Sequence, residues 1–178
     1  VIGADNQQER LKTGSFLAGF VEGEGSFNIS LRRKVDYKVS WQVVLSFNVS
    51  QRDPTLLYEL QQILDCGIIK KRKFDGVFSL DVTSPKDILD NVIPFFQEFP
   101  LRSRDKQNNF DLFVKVANLM RNGEHKSKIG LRKILEIREL INLGRGRTRK
   151  YSIFDVFPNK FLESSETIRR LPLKMEMI

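Results

Sequence analysis

The chain has 178 residues, of which 30 are Lys or Arg and 22 are Asp or Glu, so its formal net charge is +8. This excess of basic charge indicates a polyanionic partner, and a composition with 40% hydrophobic and 29% charged residues is typical of a globular protein and excludes a disordered one. A single Cys and a single His exclude, within one chain, a Cys/His zinc site and a disulfide framework, so a metal here would need oxygen ligands.

The first predicted element is a helix in residues 14–25, where small residues recur at three- and four-residue spacing. These small residues are Gly14, Ala18, Gly19 and Gly23. Each glycine in a helix interior costs about 1 kcal/mol relative to alanine, so the pattern needs a compensating contact. A stripe without side chains lets two backbones approach closely, and we therefore expect a second copy of this helix to pack here. The expected dimer interface comprises Gly14, Phe16, Leu17, Ala18, Phe20 and Val21.

Two acidic residues, Glu22 and Glu24, lie at the end of this helix, where the helix dipole disfavours negative charge. If two copies of the helix pair about a twofold axis, their Glu24 carboxylates approach each other, and divalent cations between them would relieve the repulsion. Carboxylates, a backbone carbonyl, water and phosphate oxygens together suit Mg²⁺. The alternative interpretation is a solvated helix end, because two acids alone are a weak signal.

Two β-hairpins are predicted next, with an amphipathic helix over residues 54–64 between them. Apolar and polar residues alternate over residues 26–34 and again over 38–49, as they do in half-buried strands. The connection between these two strands is predicted at residues 33–37. The second hairpin is predicted to have strands at 68–74 and 77–83 and a turn at Asp75-Gly76.

One face of the two hairpins is polar and rich in Lys, Arg, Asn, Gln and Ser, the side chains that contact phosphates and base edges. This face comprises Asn28, Ser30, Arg32, Lys34, Lys38, Ser40, Gln42, Ser46, Asn48, Lys70, Arg72, Ser79 and Asp81. No acidic residue interrupts it on the first hairpin, whereas a solvated surface ordinarily mixes charges of both signs. The pattern favours a nucleic-acid-binding surface, with the solvated side of an antiparallel sheet as the alternative.

Three further helices are predicted, over residues 85–96, 109–121 and 126–142. The positive charge is concentrated in this part of the chain, since residues 102–150 carry 14 basic and 5 acidic side chains. Residues 144–150 form a basic stretch that is interpreted either as an arm following phosphates or as a linker. A short helix over 164–170 follows. The predicted domains are an N-terminal arm at 1–13, a single domain at 14–142 and a basic C-terminal tail at 143–178.

The chain resembles the LAGLIDADG homing endonucleases in the segment Leu17-Ala18-Gly19-Phe20-Val21-Glu22-Gly23-Glu24-Gly25, which Ser26-Phe27 follows. Glu stands at both positions where that signature has Asp. The resemblance continues in Phe99-Pro100-Leu101-Arg102-Ser103-Arg104 and in Gly130-Leu131-Arg132-Lys133-Ile134-Leu135, and it covers residues 14–142. It implies an α+β fold in which antiparallel β-hairpins form a DNA-binding saddle and helices pack behind it.

For a chain with a single motif, the resemblance implies a homodimer that lies in the major groove of double-stranded DNA. Such a dimer would hydrolyse a phosphodiester in each strand of a long, near-palindromic target. The implied cofactor is Mg²⁺ or Mn²⁺, with Ca²⁺ as a non-catalytic substitute. Glu24 corresponds to the acid that ligates the metal and Gly23 to the residue whose carbonyl assists, while Glu22 is expected to shape the helix end.

The resemblance also implies two further catalytic residues. Gln51 resembles the polar residue that orients water near the metal. Arg104 stands where a basic residue of the active-site periphery is expected and would stabilise developing phosphate charge. Lys106 competes for this role, because the neighbouring Lys106-Gln107 pair permits a shift of register.

Two alternatives on the same scaffold remain open, namely an RNA maturase that assists splicing of its own intron RNA and a non-catalytic DNA-binding protein. A basic ribosomal or RNA-chaperone protein would not need the small-residue helix face. The family is typically encoded by introns of organelle genomes, so we expect a chloroplast or mitochondrial location. No membrane partner is expected, because no apolar run is long enough to span a bilayer and no signal-peptide pattern is found.

Overall fold

The computed structural model describes residues 4–142 and 149–158. In chain order its elements are α1 (Ala4–Glu24), β1 (Gly25–Arg33), β2 (Trp41–Gln51), α2 (Thr55–Leu64), β3 (Ile68–Lys71), β4 (Phe78–Val82), α3 (Pro85–Asp87), a π-helical turn (Ile88–Val92), α4 (Ile93–Glu98), α5 (Arg104–Arg121), a 3₁₀ turn (Glu124–Lys126), α6 (Lys128–Leu140) and α7 (Ile153–Val156). Helix α7 belongs to a second unit, which begins after residue 145. Most of the basic stretch at 144–150 and the whole of the helix predicted over 164–170 lie outside the described residues.

The four strands form one antiparallel sheet in the order β1-β2-β4-β3, and sequence alternation decides its two faces. The β1–β2 register pairs Gly25 with Val49 and Leu31 with Val43. One face is buried and consists of Phe27, Ile29, Leu31, Val43, Leu45, Phe47, Val49, Leu80 and Val82. The opposite face is polar. The prediction of an α+β fold with antiparallel hairpins and helices packed behind them is therefore confirmed.

A cluster of aromatic rings around Phe27 joins the sheet to the helices behind it. The centroid of the Phe27 ring lies 5.3 Å from that of Phe47, 5.4 Å from that of Phe96 and 5.2 Å from that of Phe110. All four rings are buried, and burying one such side chain contributes about 1.5–3 kcal/mol. Strand β1, which directly follows the acidic helix end, is thereby fixed against α4 and α5.

Among the residues that the structure describes, no strand pairs with the outer edge of β1. Three buried or half-buried side chains, from α5, α6 and the residue pair after α6, bond to its carbonyls instead. The bonds run from Lys106 Nζ to Gly25 (2.5 Å), from Asn142 Nδ2 to Phe27 (2.8 Å) and from Arg138 Nε to Ile29 (3.0 Å). Unpaired strand edges invite association with other chains, and these bonds satisfy the edge within the fold. They also hold α5 and α6 in register with β1.

Two helices begin earlier than predicted. Their first turns lack the apolar periodicity on which the prediction was based. Helix α1 begins at Ala4. Residues 4–13 of the predicted N-terminal arm therefore form the first half of this helix. Residues 7–12 are exposed, and Arg10 pairs with Glu98 at 2.7 Å. Helix α5 begins at Arg104 instead of residue 109.

The hairpin connections are longer than predicted, which shortens the strands beside them. Strand β2 begins only at Trp41, because the Lys34 N–H bonds to the Ser40 carbonyl at 3.0 Å and closes a turn over residues 34–40. Lys38 and Ser40 therefore lie in the turn and not on the strand. In the second hairpin, the Arg72 N–H bonds to the Val77 carbonyl at 2.8 Å and closes the turn after β3.

Candidate active site and nucleic-acid interface

Glu24 is the last residue of α1, and Gly25 starts β1 without any intervening loop. A side chain at Gly25 would clash with the Val21 carbonyl oxygen, only 2.7 Å from the position of its Cβ, so this direct helix-to-strand passage requires glycine. The Glu24 side chain is exposed and makes no hydrogen bond or ion pair with any residue that the structure describes. An unpaired carboxylate at a helix C-terminus costs about 0.3–1 kcal/mol, which favours a ligand role over a structural one.

Glu22, two residues earlier, is engaged with the start of another helix. Its carboxylate accepts the backbone N–H of Ser103 and that of Arg102, the latter at 3.2 Å, immediately before α5 begins. Hydrogen bonds from Ser103, and then from Arg102 with the nearby charge of Lys106, hold the pKa of Glu22 below its ordinary value. The two acids of the motif thus differ in their surroundings. Glu22 links α1 to the start of α5 through hydrogen bonds, whereas the Glu24 carboxylate has no partner among the described residues and can bind a ligand.

Replacing Glu22 by Gln is expected to lower the free energy of unfolding by about 0.5–1 kcal/mol at neutral pH, a value reduced by the solvent exposure of these bonds. The folded-state pKa lies below the ordinary value of 4.5, so the carboxylate stabilises the fold above that pH and loses this effect as the pH falls through the folded-state pKa. Urea titrations of both proteins at pH 7 and pH 3 should show the difference shrinking in acid. An equal difference at both pH values would contradict the contact, and Glu9→Gln, on the exposed first half of α1, is the matched control.

Lys106 is the basic residue that the fold brings to this helix end. It lies in the first turn of α5, its side chain is buried with 3% exposure, and its Nζ donates to the Gly25 carbonyl at 2.5 Å. Arg104 is exposed at the first position of the same helix. The sequence left Arg104 and Lys106 open as the basic residue near the motif. Of these two, Lys106 is the one that contacts Gly25, the residue after Glu24.

Gln51 lies at the same end of the sheet. It is the last residue of β2, two positions beyond Val49, which pairs with Gly25 across the β1–β2 ladder. Its Oε1 accepts the backbone N–H of Arg52 at 3.2 Å. The fold thus gathers Glu24, the Gly23 carbonyl, Gln51 and Lys106 at one end of the sheet.

The predicted polar residues divide between the sheet and its turns. Those sharing the face opposite the core are Asn28, Ser30 and Arg32 on β1, Gln42, Ser46 and Asn48 on β2, Lys70 on β3, and Ser79 and Asp81 on β4. The others lie in the hairpin turns, namely Lys34, Lys38, Ser40 and Arg72. Arg72 nevertheless bonds back to the sheet, because its Nη2 donates to Ser50 Oγ at 2.8 Å.

The sequence prediction missed several residues on or beside this face. Ser26 and Ser50 lie on the same polar face, because each is two residues from a predicted member, Asn28 and Asn48 respectively. Ile68, on the same face, is 60% exposed, and Phe74, in the turn after β3, is fully exposed. Apolar groups in such places suit contact with thymine methyl groups.

The exposed side of α1 differs from the predicted interface. Gly14, Leu17, Ala18 and Val21 are buried within their own chain, so these four predicted contacts with a partner are corrected. The side that faces outward keeps Phe16 and the half-buried Phe20 from the predicted set and adds Gly19 and Gly23. A groove of about 810 Å³ runs beside it, between α1 and the segment that follows α4.

Gly14 and Gly19 therefore provide a matched pair of substitutions on one helix. A Cβ at Gly14 would meet the Phe99 ring at 2.3 Å, whereas nothing lies within 4 Å of a Cβ at Gly19. Overpacking costs about 1–3 kcal/mol and exceeds the roughly 1 kcal/mol gained in helix propensity, so Gly14→Ala should lower stability while Gly19→Ala should not. Thermal unfolding measures both, and a Gly14→Ala protein as stable as Gly19→Ala would disprove the packing against Phe99.

Within 4–142 and 149–158, no group of three or more His, Cys, Asp or Glu side chains is placed to hold a metal ion. None of the helices in that part of the chain has the length and apolar character needed to cross a membrane.

The fold and these residues define a class: an α+β protein whose polar sheet face ends at an acidic helix terminus. A family model described as LAGLIDADG endonuclease matches residues 17–117, and the chain therefore belongs to the LAGLIDADG endonuclease family. The probable intron-encoded endonuclease 2 of Neurospora crassa is 29% identical over 157 residues, which are 86% of this chain and 34% of that protein. The chain thus spans about a third of the length of this relative.

Two solved structures are similar to the chain over most of its length. The I-LtrWI LAGLIDADG homing endonuclease bound to target DNA is 29% identical with a TM-score of 0.75, over 84% of this chain and 50% of that one. I-SmaMI bound to uncleaved DNA in the presence of calcium ions is 32% identical with a TM-score of 0.67, over 73% of this chain and 44% of that one.

Proposed function

We propose that the protein is a site-specific homing endonuclease that makes a double-strand break in DNA and so promotes mobility of its intron. The observation that carries this proposal is the unpaired Glu24 carboxylate at the end of α1, next to a polar sheet face. Family membership and DNA-bound structures of similar proteins support it. The intron-encoded relative and the family resemblance support an organelle as its location.

A divalent cation fits the oxygen donors at this helix end. The Glu24 carboxylate and the Gly23 carbonyl would hold Mg²⁺ or Mn²⁺, which typically bind one or two carboxylates together with phosphate oxygens. When bound, the ion polarises the scissile phosphate and makes water more acidic. Ca²⁺ is the proposed non-catalytic substitute, in keeping with the uncleaved DNA and calcium ions of the I-SmaMI structure.

The other residues near Glu24 would act through their charge and hydrogen bonds. The ammonium of Lys106, held at the Gly25 carbonyl, provides positive charge where the phosphate becomes more negative during cleavage. Gln51 has an amide that can orient the attacking water. Arg104, exposed at the start of α5, is assigned to phosphate contact.

The sheet face supplies target recognition, and the basic surplus supplies affinity. Polar side chains on the four strands would contact base edges in the major groove, while the turn residues Lys34, Lys38 and Arg72 contact phosphates. Residues 102–150, with 14 basic and 5 acidic side chains, add attraction that does not depend on sequence.

Cutting both strands requires two such centres, and we assign the second to another copy of the chain. The exposed side of α1 offers the surface for this pairing, because Gly19 and Gly23 leave open space beside Phe16. Backbones approach closely where side chains are absent. Pairing there would bring the two Glu24 residues together near the helix ends.

The proposal is tested by incubating the protein with a library of randomised double-stranded DNA and Mg²⁺, then sequencing the cleaved ends. The expected result is a long, near-palindromic consensus. Recovery of no cleaved DNA, or of cleavage without sequence preference, would contradict the proposed function. Sedimentation on the recovered target should show two protein chains per DNA, and a single chain would contradict the pairing.

A further inference from the structure

A chain of hydrogen bonds crosses three strands on the polar face of the sheet. Ser26 Oγ donates to Asn28 Oδ1 at 3.2 Å, and Asn28 Nδ2 donates to Asn48 Oδ1 at 3.2 Å. Asn48 Nδ2 in turn donates to Asp81 Oδ1 at 2.6 Å. Ser79 Oγ donates to the same carboxylate oxygen at 2.8 Å. We call these five residues the Asp81 network.

The strand register builds this network. Ser26 on β1 faces Asn48 on β2, which faces Asp81 on β4, so the three side chains form a row across the sheet. Asn28 stands two residues further along β1 and reaches Asn48 diagonally, a distance that a polar side chain can span. Ser26 is only two residues beyond Glu24, which places the row at the active-site end of the sheet.

The direction of the hydrogen bonds follows from the carboxylate. An ionised carboxylate only accepts hydrogen bonds, so Asn48 must turn its amide nitrogen toward Asp81 and its oxygen toward Asn28. The Asn48 oxygen then requires a donor, so Asn28 must present its nitrogen there and its oxygen toward the Ser26 hydroxyl. One acid at the end of the row thus decides the orientation of two amides.

On the basis of the proposed function, we propose that Asp81 is a positioning residue for base recognition and fixes the order of donor and acceptor that Asn28 and Asn48 present to DNA. Each amide keeps one N–H and one acceptor lone pair for a base. This combination matches N7 and N6 of adenine in the major groove. Because the order of donor and acceptor is fixed, and N7 and N6 follow one another across the base pair from one DNA strand toward the other, the amide distinguishes A·T from T·A.

Without the carboxylate, each amide is free to rotate by half a turn and to accept adenine from either strand. An Asn at position 81 has nearly the same shape as Asp but offers both a donor and an acceptor, so it removes the constraint and keeps the packing. The inference therefore predicts a loss of discrimination at base pairs next to the cleavage position, without loss of the fold.

The test is selection of bound sequences from randomised double-stranded DNA, without divalent metal, by wild type and Asp81→Asn. Wild type should show at least one A·T position where T·A is disfavoured about tenfold or more, and Asp81→Asn should reduce this preference to about twofold or less. Preferences at the other positions should stay unchanged. Glu59→Gln, which removes one negative charge from the exposed side of α2, behind the sheet, should retain the wild-type profile.

The possible outcomes separate this inference from the proposed function. An unchanged base profile for Asp81→Asn, or a uniform gain in affinity for all sequences, overturns the positioning role alone. A wild-type protein that selects no sequence overturns the proposed function together with this inference. If Asp81→Asn does not fold, Asp81→Thr provides a second substitution suited to a strand, and failure of both to fold would assign Asp81 to stability and overturn the proposal.

Discussion

Replacing Glu24 by Gln is expected to reduce DNA cleavage by about 10³-fold or more and to leave DNA affinity within about threefold of wild type. The amide has almost the shape of the carboxylate, but it carries no charge and is a poorer ligand for a divalent cation. Because Glu24 is exposed and contacts no other described residue, its loss should not disturb the fold. Cleavage and gel-shift assays on the same target measure the two effects.

Two controls make the Glu24 result specific. Glu9→Gln removes the same charge from the exposed first half of α1 and should cut DNA at the wild-type rate. Glu22→Gln should be less stable but should retain cleavage, since the Glu22 carboxylate bonds to the backbone before α5. A Glu24→Gln protein that still cuts both strands would remove Glu24 from the active site.

The second large effect is expected for Lys106→Met, which should reduce cleavage about 10²-fold because the positive charge beside the reacting phosphate is lost. Met keeps the length and burial of the side chain. The Gly25 carbonyl loses its donor, however, and an unsatisfied buried acceptor costs about 1–3 kcal/mol of stability. Urea titrations and cleavage rates, measured below the unfolding transition, separate the two contributions.

Arg104→Met is the matched comparison for Lys106→Met. It removes one positive charge from the same helix but from an exposed side chain, so it should weaken DNA binding slightly and leave stability unchanged. A larger loss of cleavage for Arg104→Met than for Lys106→Met would reverse the assignment and place Arg104 at the reacting phosphate.

The sheet and its two faces were predictable from the sequence because strand alternation is a local property. Phe27 and Phe47 fall on the core face and Asn28 and Asn48 on the polar face, as a period of two requires. The start of α3 is local in the same sense, since Ser84 Oγ accepts the Asp87 N–H within one turn.

Contacts between distant segments were not predictable in this way. Small residues in α1 indicate a close packing contact, but they do not identify the group that makes it. For Gly14 that group is the Phe99 ring of the same chain. Glu22 meets the N–H of Ser103, which lies 81 positions later in the sequence. The contact of Lys106 with the Gly25 carbonyl likewise depends on the position of α5 relative to β1, which no local pattern contains.

Hairpin tips were predicted less well than strands, because turn hydrogen bonds compete with pairing. The bond from the Lys34 N–H to the Ser40 carbonyl ends the β1–β2 ladder, although alternation continues in the sequence. Ser40 has a φ of 59°, a left-handed conformation that a strand does not accommodate. Lys38 and Ser40, which were predicted on the strand, therefore lie in the turn.

The most direct measurement is analysis of the DNA ends that the purified protein produces from its selected target, with Mg²⁺ and with a chelator. Both strands should be cut only with Mg²⁺, leaving 5′-phosphate and 3′-hydroxyl ends, and Glu24→Gln should leave the DNA intact. Cleavage that persists in the chelator or in Glu24→Gln, or intact DNA that wild type binds with Mg²⁺ but does not cut, would contradict this prediction.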